Sequence, residues 1–186
     1  MRQHISTRLV KGTDVVSLAD GAELGEIENV YLEPEQKQIV AFSFKSGGGL
    51  FSGKSINMVD ITDVHAIGPD AVTITDASVV RCEMAVGDRR EGLVELDDLL
   101  KRKVMTDTGE EIGQISAIHF DQGSYRLSGL DVTSGHFHQQ KATVDAAQIL
   151  QIGDDLVLIR EEMPAVERQV VRAKREDREP LLKTVA

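Results

Sequence analysis

The sequence predicts an all-β protein built of two tandem small β-barrels related by internal duplication, followed by a charged C-terminal helix or tail. Three observations support this prediction. A glycine-containing motif occurs twice in the chain, and the similarity continues beyond it. Short runs rich in β-branched residues alternate with turn residues in both copies. Aromatic residues make up only 4% of the chain and Trp is absent, so Val, Ile and Leu must fill the core.

The repeated motif reads Gly-x-Glu-(Leu or Ile)-Gly-(Glu or Gln)-Ile and begins at Gly21 and again at Gly109. Beyond a glycine-rich segment the offset between the copies shortens by three residues, and Val59-Asp60 then matches Val144-Asp145. A deletion confined to a loop is typical of diverged copies, because loops tolerate changes in length. We therefore expect four segments: a first barrel domain at 1–80, a linker at 81–95, a second barrel domain at 96–160 and a charged helix or tail at 161–186.

Short strands and turns are predicted in the same order in both copies. Within the predicted strand Leu24–Leu32 the apolar positions change parity between Ile27 and Val30. Such a change indicates a β-bulge or a sharply bent strand, as a small barrel requires. Domains of this size bury so little surface that each would be only marginally stable alone, so we expect the copies to pack on each other or the protein to dimerise. The glycines expected to form structural turns are Gly21, Gly25, Gly109 and Gly113.

The charge and the cysteine content restrict the classes of partner and the compartment. The formal net charge is −10, which disfavours binding to nucleic acid or to an anionic membrane surface. The single cysteine, Cys82, cannot form an internal disulfide, which fits a reducing compartment. No run is long and apolar enough for a signal peptide or a spanning helix. These features predict a cytoplasmic protein with no integral membrane segment.

The residues that open each copy resemble the beginning of a PRC-barrel domain. In the first copy these are residues 11–16 and 20–30, and in the second they are residues 103–105 and 108–115. The second copy has Lys101-Arg102 where a glycine is usual. The resemblance implies barrels of about six strands. It also implies adaptor roles like those of the photosynthetic reaction-centre H subunit and of a ribosome-maturation factor that binds a small-subunit protein.

The glycine-rich loop of the first copy holds our best candidate for an interaction surface. Leu50 and Phe51 lie between glycines there, and Phe137 occupies the equivalent place in the second copy. Apolar residues on such loops either fold back onto the barrel or anchor a partner. The same loop, residues 48–55, formally matches a phosphate-binding motif, but the following residues indicate a strand where that motif needs a helix.

Two histidines, His136 and His138, would share one face of a strand, a spacing found in some metal sites. A zinc site needs further ligands, which His119 and Asp145 could supply only if folding brings them close. Cys82 has no catalytic motif around it, and the paired carboxylates sit at turns or strand ends. No active site and no cofactor are therefore expected.

The C-terminal segment has Val166, Val170 and Ala173 at helical spacing among charged residues. It is interpreted either as a solvated tail or as a helix that docks on the barrels or on a partner. Taken together, the sequence favours a non-enzymatic cytoplasmic adaptor of bacterial or archaeal type that binds a protein partner or itself. The alternatives are a metal or small-ligand binder that uses His136 and His138, and a factor associated with the ribosome or RNA processing.

Overall fold

A computed structural model describes residues 4–6, 10–46, 56–82, 92–134 and 140–161. The chain begins with β1 (His4–Ser6) and continues into the first repeat, whose strands are β2 (Asp14–Ser17), β3 (Glu23–Glu33), β4 (Gln38–Lys45), β5 (Ile56–Asp60), β6 (Val64–Ile67), β7 (Ala71–Ile74) and β8 (Arg81–Cys82). Then follow β9 (Val94–Glu95) and the short helix α1 (Leu96–Leu99). The second repeat consists of β10 (Lys103–Thr106), β11 (Glu111–Asp121), β12 (Leu127–Ser134), β13 (Gln140–Asp145), β14 (Ile149–Ile152) and β15 (Leu156–Ile159).

The strands form two sheets with the same internal order. The first runs β6-β7-β2-β3-β4-β5-β8, and the second runs β14-β15-β10-β11-β12-β13. The first strand of each repeat has one parallel neighbour, β7 for β2 and β15 for β10, while the other neighbours in the two sheets are antiparallel. Single turns of 3-10 helix at Ile61–Asp63 and Ala146–Gln148 join equivalent strands. The prediction of an all-β fold with two related barrels is confirmed.

The long strands β3 and β11 are bulged at the same point. The ladder of β3 with β4 shifts register between Ile27 and Asn29, and that of β11 with β12 shifts between Ile115 and Ala117. The bulge that the change of parity predicted is therefore present in both copies. Because an extra residue increases the local twist, it lets one long strand bend around the core.

Two of the glycines expected in turns lie elsewhere. Gly21 and Gly109 do lie in turns, with positive φ. Gly25 and Gly113 instead lie inside β3 and β11, with φ of 148° and 150°. A Cβ atom at either position would overlap a carbonyl group of the neighbouring strand, that of Lys45 or Thr133. These two glycines are needed for close strand contact, which the motif alone did not distinguish from a turn.

The sheet of each repeat includes one short strand that lies next to the other repeat in the sequence. The N-terminal strand β1 pairs with β11 of the second repeat, where Ile5 faces Phe120. In the same way β9, which precedes the second repeat, pairs with β3 of the first, where Val94 faces Leu32. The two pairings are reciprocal, so neither sheet is made from one repeat alone.

A second reciprocal contact joins the hairpin turns of the two repeats. The amide of Ile39 donates to the carbonyl of Tyr125 at 2.9 Å, and the amide of Leu127 donates to the carbonyl of Lys37 at 2.7 Å. Between them Gln38 and Arg126 form an antiparallel bridge. Lys37 and Tyr125 occupy the same place in the two copies and have nearly equal positive φ, 53° and 55°. The two repeats are thus related by approximate twofold symmetry at this contact.

The cores of the two repeats are continuous. One hydrophobic cluster contains residues of both barrels and of α1, including Leu32, Phe120, Leu96 and Leu99. Leu99 is fully buried, and Lys11 of the first repeat forms an ion pair with Asp97 of α1. The expectation that the copies pack on each other is confirmed. The division of the chain near residues 80 and 96 stays a prediction.

Candidate interaction surfaces

The segments that join β4 to β5 and β12 to β13 start far from the contact between the repeats. β4 begins at Gln38, at that contact, and runs eight residues to Lys45, which is about 23 Å at 3.3 Å per residue. β12 has the same length. Because Gln38 and Arg126 pair in an antiparallel bridge, β4 and β12 leave the contact in opposite directions. The two segments therefore begin on opposite sides of the contact between the repeats.

Leu50 and Phe51, and their counterpart Phe137, lie outside the described residues, as do His136, His138 and the phosphate-binding-like motif of residues 48–55. The described strands show only where the two segments begin, after Ser46 and after Ser134. That Leu50, Phe51 and Phe137 bind a partner stays a prediction.

The outer face of the first barrel, which points away from the shared core, is apolar and covered. Tyr31, Ala41 and Met58 form a separate cluster there and are at most 4% exposed. Leu93, next to β9, packs against this cluster. The hydroxyl of Tyr31 donates to a carboxylate oxygen of Glu95 at 3.3 Å. The crossing segment that contains β9 therefore covers part of this face.

The outer face of the second barrel is polar at the same ladder positions. His119 and Gly129 are paired across β11 and β12, as Tyr31 and Ala41 are across β3 and β4. The Nε2 atom of His119 lies 3.1 Å from Oδ2 of Asp131, and both side chains are about one-third exposed. The hydroxyl of Thr143, the counterpart of Met58, donates to Oδ1 of the same carboxylate at 3.0 Å.

Comparison with protein-family models agrees with the duplicated architecture. The model of the PRC-barrel domain matches the chain twice, over residues 3–80 and 91–162. The chain belongs to the PRC-barrel family. Its domains are of a protein-interaction type, and the family is generally non-catalytic. No curated protein matches the chain. Among the residues that the structure describes, no helix has the length and hydropathy needed to cross a membrane.

The strand register of the second PRC barrel places two of the four residues considered as metal ligands in one row. His119 and Asp145 both pair with Gly129 across the sheet. His136 and His138 lie outside the described residues, so a site that includes them stays a prediction. Within the described ranges no group of three or more His, Cys, Asp or Glu residues has a metal-binding arrangement.

The carboxylates with perturbed pKa values lie at turns on the surface of the PRC barrels. Hydrogen bonds from the backbone amide and hydroxyl of Ser78 hold the pKa of Asp76 below its ordinary value. A hydrogen bond and the positive charge of Lys101 lower the pKa of Asp98, and the same pairing raises that of Lys101. Each shift is explained by a local turn or helix contact, so none indicates a catalytic group.

Sequence reasoning missed the two exchanged strands. β1 and β9 are three and two residues long, too short to show a periodic pattern. One signal was present where the predicted linker ends, since Leu93 and Val94 are apolar and Leu96 follows at the start of the second domain. Closely spaced apolar residues at the end of a linker indicate that it packs against a domain.

Proposed function

We propose that this protein is a non-catalytic adaptor in which two fused PRC barrels form one rigid unit with two separate binding ends. The observation that carries the proposal is the reciprocal exchange of β1 and β9 together with the continuous core. An arrangement of this kind fixes the relative positions of Ser46 and Ser134, after which the segments 47–55 and 135–139 begin. A scaffold that holds two sites apart is suited to bridging partners, or to binding two copies of one partner with increased avidity.

The binding energy is proposed to come from Leu50 and Phe51 at one end and from Phe137 at the other. Large apolar side chains on exposed loops commonly supply most of the energy of an interface. The acidic charge of the chain supports a protein partner over a nucleic acid. With a single cysteine and this charge, the cytoplasm is the proposed location.

Affinity purification from the native cell tests this proposal. Tagged wild-type chain is compared with the double variant Leu50→Ser, Phe51→Ser and with Phe137→Ser, and the co-purified proteins are quantified by mass spectrometry. We expect a specific partner of the wild type to be reduced at least about ten-fold in one of the variants, because removal of a dominant apolar anchor costs about 2 kcal/mol or more.

The matched control is Leu18→Ser, which removes an exposed leucine, 51% accessible, outside both segments. This variant should recover the same partners as the wild type. Circular dichroism should be equal for all four proteins. Equal recovery by the loop variants and the wild type would contradict the proposed binding ends.

A further inference from the structure

The two sheets correspond strand for strand except at one edge. In the first sheet β8 lies along the outer edge of β5, where Cys82 faces Asn57 and Arg81 faces Met58. In the second sheet β13 takes the place of β5, and no described strand lies on its outer side. The exchanged strands also correspond to each other, because β1 pairs with β11 and β9 pairs with the equivalent strand β3. The missing counterpart of β8 is therefore the one break in the correspondence of the described strands.

The first repeat shows how its chain reaches this edge. The carboxylate of Asp76 caps the single helical turn Ala77–Val79 by accepting from the amide of Ser78 at 2.7 Å. Val79 and Val80 then pack against the core. Arg81 follows and forms an ion pair with Asp60 of β5 at 3.1 Å. A short connection thus leads directly from the last strand of the repeat to the edge.

The last strand of the second repeat, β15, ends at the position equivalent to the end of β7. The amide of Leu18 donates to the carbonyl of Ile74, and the amide of Asp107 donates to that of Ile159, both at 2.9 Å. Ile74 and Ile159 are thus equivalent ends of β7 and β15. The two residues of β8, Arg81 and Cys82, follow Ile74 after a certain number of residues. The residues that follow Ile159 at the same distance are Val166 and Glu167.

We propose that Val166 and Glu167 of the C-terminal segment add a strand to the outer edge of β13, with Val166 facing Thr143 and Glu167 facing Ala142. This is the register of β8 on β5, carried to the equivalent positions. An edge strand offers a row of backbone amide and carbonyl groups, which favours the addition of an extended segment. The proposal rests on the edge of β13 and does not depend on the proposed function.

The sequence also indicates that this contact is weaker than its counterpart. Asp145 occupies the place of Asp60, but Val166 stands where the first repeat has Arg81. The pairing of the second repeat therefore lacks the ion pair that helps to hold β8. Backbone hydrogen bonds must provide most of the contact, so substitutions that remove amide donors are the most direct test.

Amide hydrogen exchange of the full-length chain tests the pairing, read on a peptide that covers residues 140–146. In the double variant Val166→Pro, Glu167→Pro these amides should exchange at least about ten-fold faster than in the wild type, because proline cannot donate to the edge. The matched control Lys183→Pro, Thr184→Pro should exchange like the wild type. Equal exchange in the wild type and the Val166→Pro, Glu167→Pro variant would overturn the proposal.

Disulfide trapping identifies which chain occupies the edge. In a Cys82→Ser background, Thr143→Cys with Val166→Cys should give a monomer with an internal disulfide on mild oxidation, since directly opposed residues of paired strands are close enough to cross-link. Thr143→Cys with Thr184→Cys is the control and should stay reduced. A disulfide-linked dimer whose yield rises with protein concentration would assign the edge to a second copy and overturn the proposal, as would the absence of any cross-link.

Discussion

The outer faces of the two barrels are built on equivalent strands but differ in character. In the first barrel Tyr31 and Met58 are buried, and Leu93 packs against them. In the second barrel the same positions hold His119 and Thr143, which form a polar cluster with Asp131. The inward positions differ much less. Val30 and Leu32 correspond to Ile118 and Phe120, and all four are buried.

This difference shows which positions of a duplicated barrel are constrained by the fold. Inward residues must fill a closely packed core, so they keep their apolar character after duplication. Outward residues contact only the segment that packs on their face of the sheet. They can therefore diverge when that segment differs between the two barrels. The first barrel has an apolar face beneath the crossing segment, while the second presents a partly exposed polar surface. The two barrels share a scaffold and have separate surfaces.

The largest expected effect tests whether both barrels depend equally on a glycine at the close contact between strands. Gly25→Ala and Gly113→Ala should each destabilise the protein by about 3 kcal/mol or more, because a Cβ atom at either position overlaps a carbonyl of the next strand. Urea unfolding measures both variants. Gly109→Ala is the control, since φ is also positive there but the space is open, and it should cost about 1 kcal/mol. A severe effect in only one barrel would show that the scaffolds are not equivalent.

Exchanging the equivalent residues of the two outer faces should change the stability of the protein by different amounts. Met58→Thr gives the first barrel the residue of the second and should cost about 2 kcal/mol, because a buried side chain is shortened. Thr143→Met is the reverse change at an exposed position and should alter stability by less than about 0.5 kcal/mol. Chemical unfolding compares the two. Similar costs would contradict the difference between the faces.

The smallest expected effect concerns the capped turn that leads to β8. The folded pKa of Asp76 lies below its ordinary value because Ser78 donates hydrogen bonds to the carboxylate. The stabilisation by this charge is therefore present above the unfolded pKa and is lost as the pH falls through the folded pKa. Between about pH 4 and pH 2, the urea midpoint of the wild type should fall slightly more than that of Asp76→Asn. Asn is the suitable control because it also caps helices without titrating. Parallel midpoints over this range would contradict the cap.

Much of the fold within each repeat follows from local sequence. The motif at Gly21 and Gly109 marks equivalent turns, and the change of parity after Ile27 marks the bulge. The strand exchange could not be predicted in this way, because Ile5 and Phe120 are remote in sequence and short strands carry little pattern. The polar cluster around Asp131 depends on cross-strand register, which the spacing of residues along one strand does not reveal.

The central claim is that the exchanged strands make the two repeats a single cooperative unit. Native-state amide hydrogen exchange of Val94→Ala tests it most directly, because Val94 lies outside the first repeat yet pairs with Leu32 within it. The slowest amides of β4 and β12 should report one common free energy of unfolding in the wild type. The variant should lower both by the same amount, about 1–2 kcal/mol. Two distinct free energies, with only that of β4 lowered, would show that the barrels unfold independently and would contradict the account.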